Sequence, residues 1–308
     1  MDVSLLLFEQ TLNGVQFGVF LFLIAAGLTL VFGIMNLVNL AHGALYMMGA
    51  YVGATVFGWT GSFLLAAVSV LPAMMVFGAL VEMVALRTLY ERDHMDQVLA
   101  TFGLILFFNE VVRIVWGPES QPMPIPEALS GHIELIPGVP YPTFRIVIIG
   151  VGLTVAVALY LLISRTRLGM LIRAGASNRP MAGALGVNIR LLYTLVFGLG
   201  AVLAGLSGVM AGPLLAVEPG MGEDMLVLSF VVIVIGGIGS IRGALVASIL
   251  VGIVETVGRS ILPVMLEIVV SNEAAQTAGP ALASMLIYVV MAGVLFFRPE
   301  GLFSARTG

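Results

Sequence analysis

Residues 12–35 run for 24 positions without one charge. About 20 mostly apolar residues span the roughly 30 Å hydrocarbon core of a bilayer as a single helix. A soluble chain has little use for a run this long, and here it is the first of many. Residues 43–86 carry one charge, Glu82, with 57–62 supplying a turn inside the stretch. Segment 97–116 follows with Glu110 and Arg113, then 143–164 with Arg145 near its start. Segments 191–217 and 225–241 are uncharged, 243–265 holds Glu255 and Arg259, and 280–297 closes the series. The pattern predicts an all-α polytopic membrane bundle of about eight or nine hydrophobic segments, one or two of them broken or re-entrant.

Composition agrees. The chain is 60% hydrophobic and 10% charged, with a mean hydropathy of +1.12, whereas an ordinary soluble domain is about 25% charged. So few polar residues leave no room for a separate soluble domain, so residues 1–308 are expected to form one transmembrane domain. The chain has no Cys, which excludes disulfides, thiol nucleophiles and zinc–thiolate sites. It also has no Lys, all 13 basic residues being Arg. A Walker A loop requires its lysine, so ATP hydrolysis by that device is excluded. Three scattered histidines, His42, His94 and His132, do not suggest a metal cluster. Residues 1–10 lack the basic start of a cleavable signal, and the N-terminus reads as mature.

Arginine bias in short loops sets orientation. Arg165, Arg167, Arg173, Arg179 and Arg190 crowd one loop, which is expected to be cytoplasmic. Arg87, Arg92, Arg242, Arg298 and Arg306 fall on the same side, while loops 117–142, 218–224 and 267–279 contain no Arg. If every segment crosses, the N-terminus lies outside and the C-terminus inside. Loop 117–142 holds seven of the 14 prolines and is expected to form an ordered or extended external cap rather than a long helix.

Four motifs stand out from the apolar background. The segment from Asn36 through Asn39 and His42 to Gly43 places two amides and an imidazole between strongly apolar helices. Polar groups at such a depth are costly unless they line a cavity or serve freed backbone, so these residues are expected at a helix break beside the translocation path; a short capped turn is the simpler alternative. In the Arg-rich loop 165–190, Ser177 reads as an N-cap with Pro180 in the first turn. Met181, Ala182, Ala184 and Leu185 then form a short apolar helical surface that Gly186 ends. A helix this short is unstable alone and is expected to dock on another surface. Gly236-Gly237-Ile238-Gly239-Ser240 superficially resembles a dinucleotide fingerprint but lacks the βαβ context; a tight turn between membrane helices is expected. Gly200, Ala204, Gly208 and Gly212 repeat at four-residue spacing, the pattern of close helix packing in lipid.

Taken together, the stretches from Gly27 to Asn36 and on to Gly43, from Arg167 through Ala182 to Asn188, and from Gly236 to Ser240 resemble the LivH-type permeases of branched-chain amino-acid ABC importers. The resemblance covers essentially the whole chain. It implies that family's all-helical permease fold, a bacterial cytoplasmic (inner) membrane location, a second LivM-like permease, two cytoplasmic ATPases that use ATP, and an extracytoplasmic substrate-binding protein. It implies no cofactor bound by this chain and no nucleic-acid partner. Loop 165–190 would be the coupling element that enters the ATPase. Relatives of this kind also carry urea, short amides or other amino acids, and an ion-coupled carrier using Glu110 or Glu255 is the competing transporter class. An intramembrane enzyme is disfavoured, because no catalytic constellation sits at convincing spacing.

Overall fold

The computed structural model describes residues 3–136 and 139–303; Arg306 of the arginine tally lies outside them. Eleven α-helices make up most of the described chain, and seven are long and apolar enough to cross a membrane. The expected count of eight or nine differs from seven at two hydrophobic segments. One forms a helix of 16 residues, and the other a helix of 19 residues that His42 and four glycines make less apolar. These are α2 (His42–Thr60) and α9 (Met221–Gly236). The chain packs as two compact units.

One unit comprises residues 23–126 and 154–229. It holds the second half of α1 (Val3–Met35), then α2, α3 (Phe63–Val81), α4 (His94–Trp116), the end of α5 (Thr143–Arg165), α6 (Arg167–Ser177), α7 (Arg179–Ala184), α8 (Ile189–Ala211) and the first turns of α9. The chain reverses between α2 and α3 because Gly61 takes a left-handed φ of 66° and Ser62 caps the new helix. Helix α3 runs through a π-helical turn, Glu82–Leu86, into a 3-10 turn, Arg87–Leu89. The core forms where α2, α3 and α8 meet, and glycine allows the backbones to touch. A Cβ added at Gly49 would lie 2.1 Å from Gly205 Cα, and one at Gly208 would lie 2.1 Å from Tyr46 O. The small-residue run of α8 is buried along its length, as dispersion-driven packing in lipid requires.

The other unit comprises residues 1–22, 127–153 and 230–308. Here the first half of α1 packs on α10 (Ile241–Leu266), with Gly14 and Gly18 set against Gly252, Ile253 and Ser248. Helix α11 (Asn272–Phe297) packs on α10, and Gly279 fits over Pro263. The proline-rich loop forms an antiparallel hairpin of β1 (His132–Ile136) and β2 (Val139–Pro142) with a register shift between Glu134 and Ile136. The loop was expected to be extended, but strand pairing across a proline-rich stretch was not legible in the sequence.

Candidate functional site

Helix α1 stops at Met35 because Asn36 turns left-handed, with φ 51°, while its N–H still donates to Phe32 O at 2.9 Å. Asn tolerates that conformation better than most residues. Residues 36–41 are not helical, and they run back beside the helix just completed. Thr101 Oγ1 lies 3.4 Å from Val38 O, and His42 Nε2 lies 3.1 Å from Ile24 O. Ile24 precedes Met35 by 11 residues, about 16 Å along the helix. His42 also packs on Gly200, at the midpoint of α8. Helix α2 therefore begins half-way along its neighbours. Helix α9 begins at the same place, since a Cβ added at Gly222 would lie 2.0 Å from Gly43 O. Two helix N-termini, each a positive dipole end, meet inside the bundle. Broken helices with this arrangement build the midplane sites of transporters.

The polar groups around this junction are unusually short of partners. Asn39 is fully buried, and neither atom of its amide makes a hydrogen bond. The carbonyl of Ile24 can only accept, so His42 carries its proton on Nε2. That leaves Nδ1 as a buried acceptor with no partner. Elsewhere on α1 and α2 the hydroxyls of Thr29, Tyr46 and Tyr51 are also buried without a hydrogen-bond partner. Each such group costs about 1–3 kcal/mol, so the Asn39–His42 cluster at the start of α2 marks a place suited to a polar guest. Asn36, by contrast, is exposed at the end of α1 and is not part of the cluster. Sequence reasoning missed two residues here. Asn109 Nδ2 on α4 donates to Glu223 Oε1, in the first turn of α9, at 2.7 Å. The signal was an amide beside Glu110 in a mostly apolar span, but its partner lies 114 residues away.

The Arg-rich loop folds into two helices rather than one apolar turn. Thr166 caps α6 by accepting from Gly169 N. The cap of α7 is Asn178, whose Oδ1 accepts from Met181 N at 3.0 Å. Ser177 instead ends α6, so its reading as the N-cap is corrected; Asn competes equally well for that position, and the following Arg179-Pro180 starts the helix one residue later. Ala182 faces inward at 3% exposure, whereas Met181 (58%) and Leu185 (79%) point outward. Gly186 takes φ 90° just after the helix.

From α7 a run of contacts leads into the helices. The Arg179 guanidinium sits 5.8 Å over the Tyr193 ring, which meets Tyr90 edge-on at 5.0 Å. Tyr90 then donates its hydroxyl proton to Glu82 Oε1 at 2.8 Å. Burial, reinforced by the bond to Glu82, pushes the Tyr90 hydroxyl above the phenol range, so it stays a donor. Glu82 is fully buried, within the π-helical turn, and also accepts from Thr194 Oγ1 at 2.7 Å and from Arg87 Nη2 at 3.0 Å. Insertions of π-helix are frequent at functional positions. Glu82→Gln removes the charge while keeping the shape. It is expected to lower the thermal midpoint in detergent by about 5 °C or more, whereas Glu110→Gln, in an exposed pair with Arg113 at 2.8 Å, is expected to leave it unchanged.

Gly236–Ser240 forms the turn between α9 and α10. Gly237 and Gly239 have φ of 99° and 85°, and Ser240 Oγ accepts from Gly243 N at 3.1 Å. Gly236 and Gly243 touch backbone to backbone. The C-terminal segment closes over the turn, with Leu302 N and Phe303 N donating to Ile235 O and Gly236 O at 2.8 and 3.0 Å. A Cβ added at Gly237 would lie 2.3 Å from Phe303 O, so the glycines here serve packing.

A multi-pass helical chain with broken helices meeting inside the bundle has an architecture that membrane transporters use. The sequence matches, over residues 10–295, the family described as the permease component of the branched-chain amino acid transport system, and the chain belongs to it. It is 30% identical to the high-affinity branched-chain amino acid transport system permease protein BraD of Pseudomonas aeruginosa, over 96% of this chain and 94% of that protein. It is 31% identical to the LivH permease protein of Escherichia coli over 79% of this chain and 82% of the relative. Identity to the probable LivH permease of Methanocaldococcus jannaschii is 26%, covering 75% and 74%. No solved structure matches the chain. The chain is a multi-pass inner-membrane permease subunit of an amino-acid ABC importer.

Proposed function

We propose that this chain, acting as one permease domain, supplies half of the pathway of an importer for branched-chain amino acids. A second permease supplies the other half, two cytoplasmic ATPases supply the energy, and an extracytoplasmic binding protein delivers the substrate. The chain binds no cofactor, and ATP acts on the partner subunits. The observation that carries this reading is the outward pair Met181 and Leu185 on a capped helix between arginine-rich flanks. An apolar turn exposed among arginines is suited to docking in a partner's cleft. Arg179 of the same helix lies over Tyr193, which meets Tyr90, so movement there has a route to α3 and α8.

Substrate passes beside the junction of α2 and α9, where Asn39, His42 and Gly43 stand. The unserved Asn39 amide and the His42 Nδ1 acceptor suit the polar end of an amino acid. Asn39→Leu and His42→Leu are each expected to reduce uptake at least tenfold, the effect of losing about 1.4 kcal/mol, while membrane insertion is unchanged. The measurement is uptake by the reconstituted complex of labelled leucine, isoleucine and valine against urea and short amides. Selective uptake of the branched-chain set with loss in both variants supports the reading. Wild-type rates in both variants would return residues 36–43 to a structural turn, and preference for urea or amides would replace the substrate.

A further inference from the structure

Where the 3-10 turn after α3 gives way to α4, the surface holds a cleft of about 480 Å³, lined by Thr88, Leu89, Arg92, Asp96, Leu99 and Ala100. Cavities of roughly 300–1,000 Å³ hold small ligands. Gln97 ties the walls together, its buried amide donating through Nε2 to Leu89 O and Arg92 O, both at 3.2 Å. Arg92 and Asp96 are four residues apart, yet neither side chain has a hydrogen bond or ion pair among the described residues. Arg92 lies in the turn before α4 and Asp96 in its first turn, so they lack the geometry of helical partners. A guanidinium and a carboxylate therefore share one cleft without neutralising each other.

The cleft straddles the edge of the membrane. Asp96 is the third of the 23 residues of α4, a helix about 35 Å long against a hydrocarbon core of about 30 Å. Its first turn therefore lies at headgroup level, and Leu99 and Ala100 lie where acyl chains begin. The same helix face continues inward through Gly103 to Phe107, at spacings of three and four residues from Ala100. A Cβ added at Gly103 would meet nothing within 4 Å, while Leu99 and Phe107 are exposed on either side of that gap. An open apolar track thus leads from the charged end of the cleft into the membrane.

We infer that this cleft binds one phospholipid whose headgroup carries a phosphate and a primary ammonium, the phosphoethanolamine class. Arg92 donates to the phosphate, Asp96 accepts from the ammonium, and one acyl chain follows Leu99, Gly103 and Phe107 inward. Charge selects this occupant. Residues 91–96 hold three carboxylates, Glu91, Asp93 and Asp96, against the one guanidinium of Arg92, which repels a headgroup of net negative charge. A choline headgroup has no N–H to donate to Asp96. Leu89, Leu99 and Ala100, half of the lining, suit a lipid rather than a soluble zwitterion.

The test is native mass spectrometry of the full-length permease, delipidated in detergent and titrated with dioleoyl lipids bearing ethanolamine, choline or glycerol headgroups. The expected result is one ethanolamine lipid held about fivefold more tightly than the choline lipid, the effect of about 1 kcal/mol from one exposed ion pair. The glycerol lipid should bind more weakly still. Asp96→Asn should abolish the preference for ethanolamine over choline while lipid binding persists. Arg92→Gln should weaken retention of all three lipids, and Gly103→Leu, which fills the track, should do so without changing their order. All three positions are exposed, so the thermal midpoint should not fall in any variant. Equal retention of the three lipids would make the cleft ordinary lipid-facing surface, and preference for the glycerol lipid would make it an anion site. Full displacement by an equal concentration of glycerophosphoethanolamine would make the ligand a soluble zwitterion. Unchanged preference in Asp96→Asn would place the bound lipid elsewhere. Each of these four results overturns the inference.

Discussion

Leu185→Asp is expected to yield a permease that inserts and folds normally but no longer retains its ATPases. The substituted side chain is 79% exposed in the isolated chain, so the free permease loses almost no packing. In the docked complex the same position would bury an unpaired carboxylate, which typically costs several kcal/mol. A loss of about 3 kcal/mol weakens docking roughly a hundredfold. Ala182→Asp provides the contrast. Ala182 is inward and 3% exposed, so a charge there should damage the loop itself and reduce the amount of folded protein. Co-purification of ATPases with each variant, together with ATP-dependent uptake, separates the two outcomes. Wild-type stoichiometry and unimpaired transport in Leu185→Asp would remove α7 from coupling.

The second large effect comes from a single methyl group placed in α2. Gly49→Ala would put a Cβ 2.1 Å from Gly205 Cα, and Gly58→Ala would meet nothing within 4 Å. The first contact is backbone against backbone, which no rotamer change relieves. Overpacking of an ordinary core costs about 1–3 kcal/mol and occasionally more, and this case belongs at the upper end. The second substitution removes a helical glycine, which stabilises by about 0.5–1 kcal/mol. Opposite shifts in thermal midpoint are therefore expected from the same chemical change nine residues apart. Equal behaviour of the two variants would mean that α2 and α8 are not in contact at Gly49.

How much of this was legible in the sequence depended on range. The long spans were readable because an uncharged run of membrane length has one economical structure, and the turn at 57–62 appears as Gly61 and Ser62. Helix α6 went unread because its arginines made it look like loop. The cap of α7 was misplaced by one residue because Ser177 and Asn178 are adjacent and equally able to cap. The Glu82 network was beyond local reasoning, since Thr194 lies 112 residues away and only the packed α3 and α8 bring them together. The return of residues 36–41 to the middle of the bundle was suggested by Asn39 and His42, polar residues between two apolar helices. Its meeting with Gly222 was not, because two glycines in contact carry no sequence signature beyond their size.

The central claim is that this chain moves amino acids but receives its energy from other subunits. The direct measurement is uptake of labelled leucine into proteoliposomes holding either this permease alone or the complete importer, with ATP on the ATPase side or an imposed ion gradient. The expected result is substrate accumulation only in the complete importer and only with ATP, with no response to the gradient. Accumulation by the permease alone under a proton or sodium gradient would contradict the account and make the chain an ion-coupled carrier.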